Sequence, residues 1–307
     1  MMTKNSPIHN YSEMIGRMGT RAVRTVAVAA AHDVHTLQAV LRANEEGRLD
    51  YMLTGHPEEI LAIGRALGHE VPGERIVPAE TEEECAYEAV RLIREGQADF
   101  LLKGYLQTGT LLKAVLNKET GISLGQPMSH TALLEIPAYH KILGVTDGGM
   151  IPAPDLEMKK AILRNALELF RGLGYEKPVV CVACASEVVS PKIQETVDAA
   201  ALKKAALAGE FGECIVEGPI SLDLSVNKAS AEHKHYDSPA AGEADILLVP
   251  NITAGNIFVK GLLEFAGAKM AGLVTGAKCP IALNSRSATE EDKYAALMAC
   301  AGMIPED

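Results

Sequence analysis

Tryptophan is absent from this 307-residue chain, and other aromatics are sparse, with eight Tyr and five Phe. Few rings means few platforms on which nucleobases could stack. No run of basic residues occurs and the formal net charge is -11, so the long-range field repels nucleic acid and anionic lipid, and no nucleic-acid or membrane partner is expected. No stretch of about 18 apolar residues is available to span a bilayer. The opening residues, MMTKNSPIHN, lack the apolar centre of a secretory signal, so a cytoplasmic location is expected. Internal repeats, low-complexity tracts and a compositional linker are also missing.

The six cysteines, at 85, 181, 184, 214, 279 and 300, are scattered through helix-like and strand-like segments and read as small buried apolar residues. Cys181 and Cys184 form a CxxC inside VVCVACA, a strand context rather than the helix amino terminus that lowers a redox thiol's pKa. His32-x-x-His35 and His233-x-His235 lack a neighbouring Cys or carboxylate set at metal-ligand spacing, so no metal is assigned.

What is present is a core of Ala, Val, Leu and Ile within a 48% hydrophobic chain. Apolar runs alternate with amphipathic stretches: TVAVAAA, YMLTG, RIVPA and ADFLLKG read as strands, with helices between them. TALLEIP and KILGVTD follow as two further strands. After a proline-bearing stretch, with Asp155 as a helix cap, the pattern resumes through PVVCVAC, ECIVEG, ADILLVP, AGLVTGA and CPIAL. This alternation predicts an α/β fold of mostly parallel sheets flanked by helices, with ligands at the carboxyl ends of strands. Residues 136 to 155 offer the best break between two domains.

Four segments could carry chemistry. In LNSRSATEEDKY (283–294), Ser287 followed by Glu290 predicts a capping box and a helix from Ala288. Ser285 and Arg286 then precede a helix amino terminus, a combination suited to a tetrahedral oxyanion. The plainer reading is capping serines, a surface arginine and acids complementing the helix dipole. In ADFLLKGYLQTGT (98–110), Lys103 and Gly104 end a strand before a loop with Thr108, where glycine permits close backbone approach and lysine can reach a phosphate. In ADILLVPNITAGNIFVKG (244–261), Asn251 lies in the turn after a strand, and Asn256 and Lys260 sit one helical turn apart. Ser129 and His130 open one strand, and Thr146 and Asp147 end the next.

Taken in order, ADFLLKG with Thr108, SHTALLEIP, TDGG with Pro154, Lys159 and Asn165, TVDAAAL, CIVEGPISLD, ADILLVPNITAGNIFVK and LNSR resemble the phosphate acetyl/butyryl transferase family along nearly the whole chain. EGPISLD and VPNITAGN look more like its butyryltransferase branch. The resemblance implies interconversion of short-chain acyl-CoA plus phosphate with acyl phosphate plus CoA, by direct transfer in a cleft between two α/β domains of the isocitrate/isopropylmalate dehydrogenase-like plan. It implies no metal and no tightly bound cofactor, coenzyme A and phosphate being substrates, and a homodimer or higher homo-oligomer. Domain I would be residues 1–138 completed by 273–307, and domain II residues 139–272. Arg286 would bind the phosphoryl group, Ser285 would hydrogen-bond the oxyanion or thiol, and Asp292, six residues after the arginine, would take the thiol proton, with Glu291 as the alternative. Lys103, Gly104, Thr108, Ser129, His130, Asn251, Asn256 and Lys260 would bind substrate; Lys113 stands near where the acetyltransferase branch carries an arginine. Two other readings are a metal-dependent hydroxyacid dehydrogenase, which should show clustered Asp ligands, and a non-catalytic small-anion binder. Cys279 and Ser129 would be the nucleophiles of a covalent alternative.

Overall fold

A computed structural model describes residues 7–18, 22–286 and 288–305. The chain runs α1 (Tyr11–Met18), β1 (Arg24–Ala29), α2 (Val34–Glu45), β2 (Leu49–Gly55), α3 (Pro57–Ala66), β3 (Ile76–Pro78), α4 (Glu82–Arg94), β4 (Phe100–Lys103) and α5 (Thr108–Val115). It continues through β5 (Ser129–Glu135), β6 (Leu143–Thr146), α6 (Leu156–Gly172), β7 (Val179–Ala183), α7 (Gln194–Leu207), β8 (Ile215–Ile220), α8 (Leu222–Val226) and α9 (Lys228–His233). β9 (Ile246–Leu248), α10 (Ile252–Ala266), β10 (Lys269–Thr275), β11 (Ile281–Ala282) and α11 (Glu290–Met303) complete it. Among the described residues no helix is long and apolar enough to cross a membrane.

Backbone contacts divide the chain into two compact units. The first lies within Met14–Gln126 and Ala271–Asp307. Its strands pair in the order β3-β2-β1-β4-β11-β10, parallel except for the antiparallel β10–β11 pair. All four residues of β4 are buried, as expected of an inner parallel strand covered on both faces. Side-chain caps start α2 and α4: Asp33 accepts from Thr36 N at 2.8 Å, and Thr81 from Glu84 N at 3.1 Å.

The second unit lies within Met1–Glu13 and Pro127–Met270, with strand order β5-β6-β9-β7-β8. Here β5 and β6 are antiparallel and the rest parallel. The two antiparallel pairs share one cause: residues 136–142 and 276–280 are too short for the crossover helix that a parallel pair requires. Asp155 caps α6 through Met158 N at 2.8 Å, and Asn251 caps α10 through Ala254 N at 3.0 Å.

These bounds differ from residues 1–138 plus 273–307 and 139–272. β5 falls in the second unit because it pairs with β6 and packs against α6. Residues 8–13 join it because Ile8 O accepts from Ile142 N at 2.7 Å and Tyr11 bonds Glu135 and Leu133 at 2.6 and 2.9 Å.

Candidate active site

In the first unit the chain moves outward from β1 to β2 and β3, then crosses back to place β4 on the other side of β1. The strand order therefore reverses between β1 and β4, and their carboxyl ends are the usual ligand position in such sheets. Gly104 lets the two strand ends meet: a Cβ there would lie 2.2 Å from Ala30 O and 2.7 Å from Ala29 O. The close approach expected of this glycine is thus to the end of β1, and Gly104 N and Tyr105 N donate to Ala29 O and Ala30 O at 2.9 and 2.8 Å. Only glycine fits.

Lys103, the last residue of β4, is 2% exposed. Its Nζ donates to Gly104 O at 3.2 Å, and among the described residues it forms no ion pair with a carboxylate. Burial, reinforced by the charges of Lys293 and Arg286, pulls its ammonium down to about 8. Lys293, on α11, is 1% exposed; its Nζ donates to Thr36 Oγ1 at 3.0 Å and lies 3.6 Å from Asp33 Oδ2. Burial depresses Lys293 too, with Asp33 pulling the other way. Burial pushes the Asp33 carboxyl up, but hydrogen bonds from Thr36 and the Lys293 charge outweigh it and leave it below its ordinary value. On the same loop His32 is held below its ordinary value by burial and by His56, and its Nδ1 is buried without a hydrogen-bond partner.

Arg286 reaches the same end of the sheet from the loop after β11. Its guanidinium lies 3.3 Å from Glu82 Oε1 and 5.4 Å from the Tyr105 ring centre. Glu82 is a hub: its Oε2 also accepts from Gln107 N at 2.8 Å and Thr110 Oγ1 at 3.4 Å. Thr108 is the half-buried first residue of α5, and Lys113 is exposed. Ser285 and Arg286 are exposed.

The final helix begins two residues later than expected. The anticipated cap, Ser287, lies outside the described residues; the capping box that the structure contains is Thr289 with Asp292. Asp292 Oδ2 accepts from Thr289 N at 3.2 Å and Thr289 Oγ1 at 2.7 Å, while Asp292 N donates to Thr289 Oγ1 at 3.2 Å. The box closes there because Thr289 and Asp292 carry the same three-residue spacing as Ser287 and Glu290. Glu290 instead pairs with Arg42 on α2 at 3.1 Å, and Glu291 is exposed.

In the second unit, β6 and β9 run side by side and bring their following loops together. Asp147 Oδ1 accepts from Gly149 N and Met150 N at 2.8 and 2.9 Å, and Oδ2 from Ile151 N at 3.1 Å, which fixes the TDGG turn. Gly255 of the PNITAGN segment packs against that turn, where a Cβ would fall 2.7 Å from Gly148 Cα, and Asn256 Nδ2 donates to Gly148 O at 3.3 Å. His130 is half-buried against Gly149, whose added Cβ would lie 2.9 Å from His130 Cγ. Ser129 is fully buried, with Oγ accepting from Asn165 Nδ2 at 3.0 Å. Asn251 serves as the cap of α10, and Lys260 is exposed on that helix. Lys159 and Asp198, both buried, form an ion pair at 2.6 Å.

Among the described residues, two sizeable cavities are lined by this unit. The larger, about 720 Å³ and lined by Tyr139, His140, Glu243 and Phe258 among others, lies at the amino ends of β6 and β9. The smaller, about 420 Å³, lies at the carboxyl ends of β7 and β9 and is mostly apolar, lined by Ala183, Cys184, Val249, Pro250, Ala254 and Phe258 with others. Its position makes it the better ligand candidate despite its size.

All six cysteines are free thiols. Burial pushes Cys181 and Cys184 up to about 12 and about 11, the opposite of a redox pair, and Cys279 up to about 12. Among the described residues no group of three His, Cys, Asp or Glu could hold a metal ion.

The model of the phosphate acetyl/butaryl transferase family matches residues 79–301. The chain belongs to this family. It is a phosphate acyltransferase. It is 41% identical to the probable phosphate butyryltransferase of Bacillus subtilis strain 168, covering 94% of this chain and 97% of the relative. It is 38% identical to the phosphate acetyltransferase of Thermotoga maritima, over 92% of this chain and 96% of that one. Among solved structures, a branched-chain phosphotransacylase from Enterococcus faecalis V583 superposes with a TM-score of 0.78 at 34% identity, covering 92% of this chain and 99% of that one. A 4-hydroxythreonine-4-phosphate dehydrogenase from Burkholderia phymatum shares the fold, with a TM-score of 0.54 at 13% identity over 92% of this chain and 99% of that one. Within this phosphate acyltransferase, Glu82, Lys293 and Asp33 are the charged groups that sequence reasoning missed. The signal for Lys293 was available: it opens the otherwise apolar run YAALMACAG, whose residues are buried on all sides of α11.

Proposed function

We propose that this phosphate acyltransferase is a phosphate butyryltransferase, interconverting butyryl-CoA plus phosphate with butyryl phosphate plus CoA by direct transfer in a ternary complex. The observation that carries the anion half of this reading is Lys103, a buried lysine without a carboxylate partner in the same electrostatic neighbourhood as Arg286. Support for the acyl half comes from the apolar cavity at the carboxyl ends of β7 and β9, and from the 41% identity to the probable butyryltransferase.

In the acyl-CoA direction a phosphate oxygen attacks the thioester carbonyl and gives up its proton to Asp292, the C–S bond breaks, and Asp292 returns that proton to the leaving thiolate. Arg286 and Lys103 hold the phosphoryl oxygens and neutralise their charge, exchanging the Glu82 contact of Arg286 for the substrate. Ser285 donates to the developing oxyanion or to the sulfur. In reverse, Asp292 takes the proton of the thiol, whose ordinary pKa is about 8.5. Glu291 is the alternative acceptor, because the cap occupies Oδ2 of Asp292. Thr108 supports the phosphoryl end, and His130, Asn251, Asn256 and Lys260 bind acyl-CoA. Ser129 acts through Asn165. Coenzyme A and phosphate enter as substrates, no tightly bound cofactor or metal is assigned, and a homodimer is the assembly expected.

The test is kcat/KM for acetyl-, propionyl-, butyryl- and valeryl-CoA at saturating phosphate. Butyryl-CoA should exceed acetyl-CoA at least about tenfold, since each methylene in a matched pocket is worth roughly 1 to 3 kcal/mol. A maximum at acetyl-CoA would make the chain an acetyltransferase.

A further inference from the structure

The two cavities of the second unit share two side chains. Phe258 of α10 and Leu222, the first residue of α8, line both the cavity of about 420 Å³ at the carboxyl ends of β7 and β9 and the cavity of about 720 Å³ at the amino ends of β6 and β9. Helix register sets the cavities in line. Ala254, Phe258 and Leu262 follow one another at four-residue steps on one face of α10, about 6 Å apart along its axis. Ala254 lines the smaller cavity with Val249, which follows β9, and Leu262 lines the larger with Leu143, which opens β6; Phe258 stands between them in both. The backbones that carry this divider are held in place. On α10, a Cβ at Gly255 would fall 2.7 Å from Gly148 Cα, and Asn256 Nδ2 donates to Gly148 O at 3.3 Å. Around the first turn of α8, Ser221 Oγ donates to Asp223 Oδ1 at 2.7 Å and Ser225 Oγ to Ser221 O at 2.8 Å.

We propose that Phe258 and Leu222 are the chain-length stop of the acyl pocket, and that the larger cavity is the continuation they close off, shaped for the aliphatic tail of a medium-chain acyl group. A short chain ends against the ring, whereas a longer one must displace it. Short-chain preference is then set by a wall and not by the room available. The chemistry behind the wall suits a tail: Ile136, Leu143, Val226 and Leu262 offer hydrocarbon, and the His140 and Glu243 pair, at 3.4 Å, is half exposed and keeps its water. Neither Phe258 nor Leu222 carries a polar side-chain atom, so truncating either strands no hydrogen bond. That the smaller cavity holds the acyl chain rests on the acyltransferase reading above; the divider between the cavities does not.

The test compares butyryl-, hexanoyl- and octanoyl-CoA in two ways: kcat/KM at saturating phosphate, and affinity without phosphate by isothermal titration calorimetry. The wild type should use octanoyl-CoA at least about tenfold less well than butyryl-CoA. Phe258→Ala should raise the octanoyl-to-butyryl ratio at least about tenfold in both measurements, since each methylene newly buried is worth about fourfold in affinity. Leu222 is 40% exposed, so Leu222→Ala removes little packing; it should raise the ratio in the same direction and carries the test if Phe258→Ala does not fold. Adding Leu262→Trp to Phe258→Ala fills the larger cavity and should return the ratio to within about threefold of the wild type. An unchanged ratio in folded Phe258→Ala or in Leu222→Ala, a gain that survives Leu262→Trp, or equal use of octanoyl- and butyryl-CoA by the wild type overturns the proposal. Turnover of no thioester, with octanoyl-CoA affinity still gained in Phe258→Ala, would sink the function and spare the divider; butyryl-CoA turnover with unchanged ratios would do the reverse.

Discussion

Replacing Lys103 by methionine should make the protein more stable at neutral pH while damaging its chemistry. The depression of Lys103 from an ordinary 10.5 to about 8 corresponds to about 3 kcal/mol against the charged folded form. Losing the hydrogen bond from Lys103 to Gly104 O returns about 1 kcal/mol, leaving a net gain of about 2 kcal/mol for a methionine of similar length. Below pH 8 the folded and unfolded chains both hold the proton, so the whole penalty is present. Between about 8 and 10.5 the folded chain releases it first; the unfolded chain then binds more protons, and wild-type stability rises with pH. The variant's advantage should therefore be largest at pH 7 and vanish as pH approaches 10.5. Thermal denaturation at pH 7, 8, 9 and 10 checks this, with the variant melting about 4 to 8 °C higher at pH 7. Added phosphate should raise the wild-type midpoint more than the variant's. A variant that melts lower than wild type at pH 7, or by a margin independent of pH, would refute the reasoning.

Thr289→Ala should cost about 1 kcal/mol by opening the cap of α11, whereas Asp292→Asn, which keeps an acceptor for Thr289, should leave the melting temperature nearly unchanged and lower kcat at least a hundredfold. Normal kcat in Asp292→Asn would move the proton to Glu291. Lys159→Met should destabilise the second unit by about 3 to 5 kcal/mol because it strands buried Asp198, and the double variant with Asp198→Leu should regain most of that loss in urea titrations. Ala254→Leu should narrow the cavity at the carboxyl ends of β7 and β9 and lower kcat/KM for butyryl-CoA relative to acetyl-CoA at least tenfold; an unchanged ratio removes that cavity from the acyl chain's path.

The alternation of apolar runs and amphipathic stretches located every strand among the described residues, because inner strands such as FLLK are buried on both faces. It did not give α1, although the apolar residues of that helix fall on one face, nor the antiparallel pairs, which depend on loop length rather than on pattern. Within the site, Lys103 and Arg286 were legible from their positions after strands. Glu82 and Asp33 were not, since acids at helix starts usually complement the dipole, and here they also meet Arg286 and Lys293 from more than 200 residues away in sequence. The TDGG and PNITAGN segments looked like separate candidates; the close packing of Gly148 on Gly255 explains why small residues occur in both. Two capping boxes of equal spacing competed at the last helix, and spacing alone could not choose between them.

Acyl transfer should go to phosphate held by Arg286. Release of CoA thiol from butyryl-CoA, followed as phosphate is varied for wild type and Arg286→Ala, tests it most directly. Release should be absent without phosphate, saturable with it, and reduced at least a hundredfold in kcat/KM for phosphate in the variant. Phosphate-independent release in the wild type, or an unchanged kcat/KM for phosphate in Arg286→Ala, would contradict it.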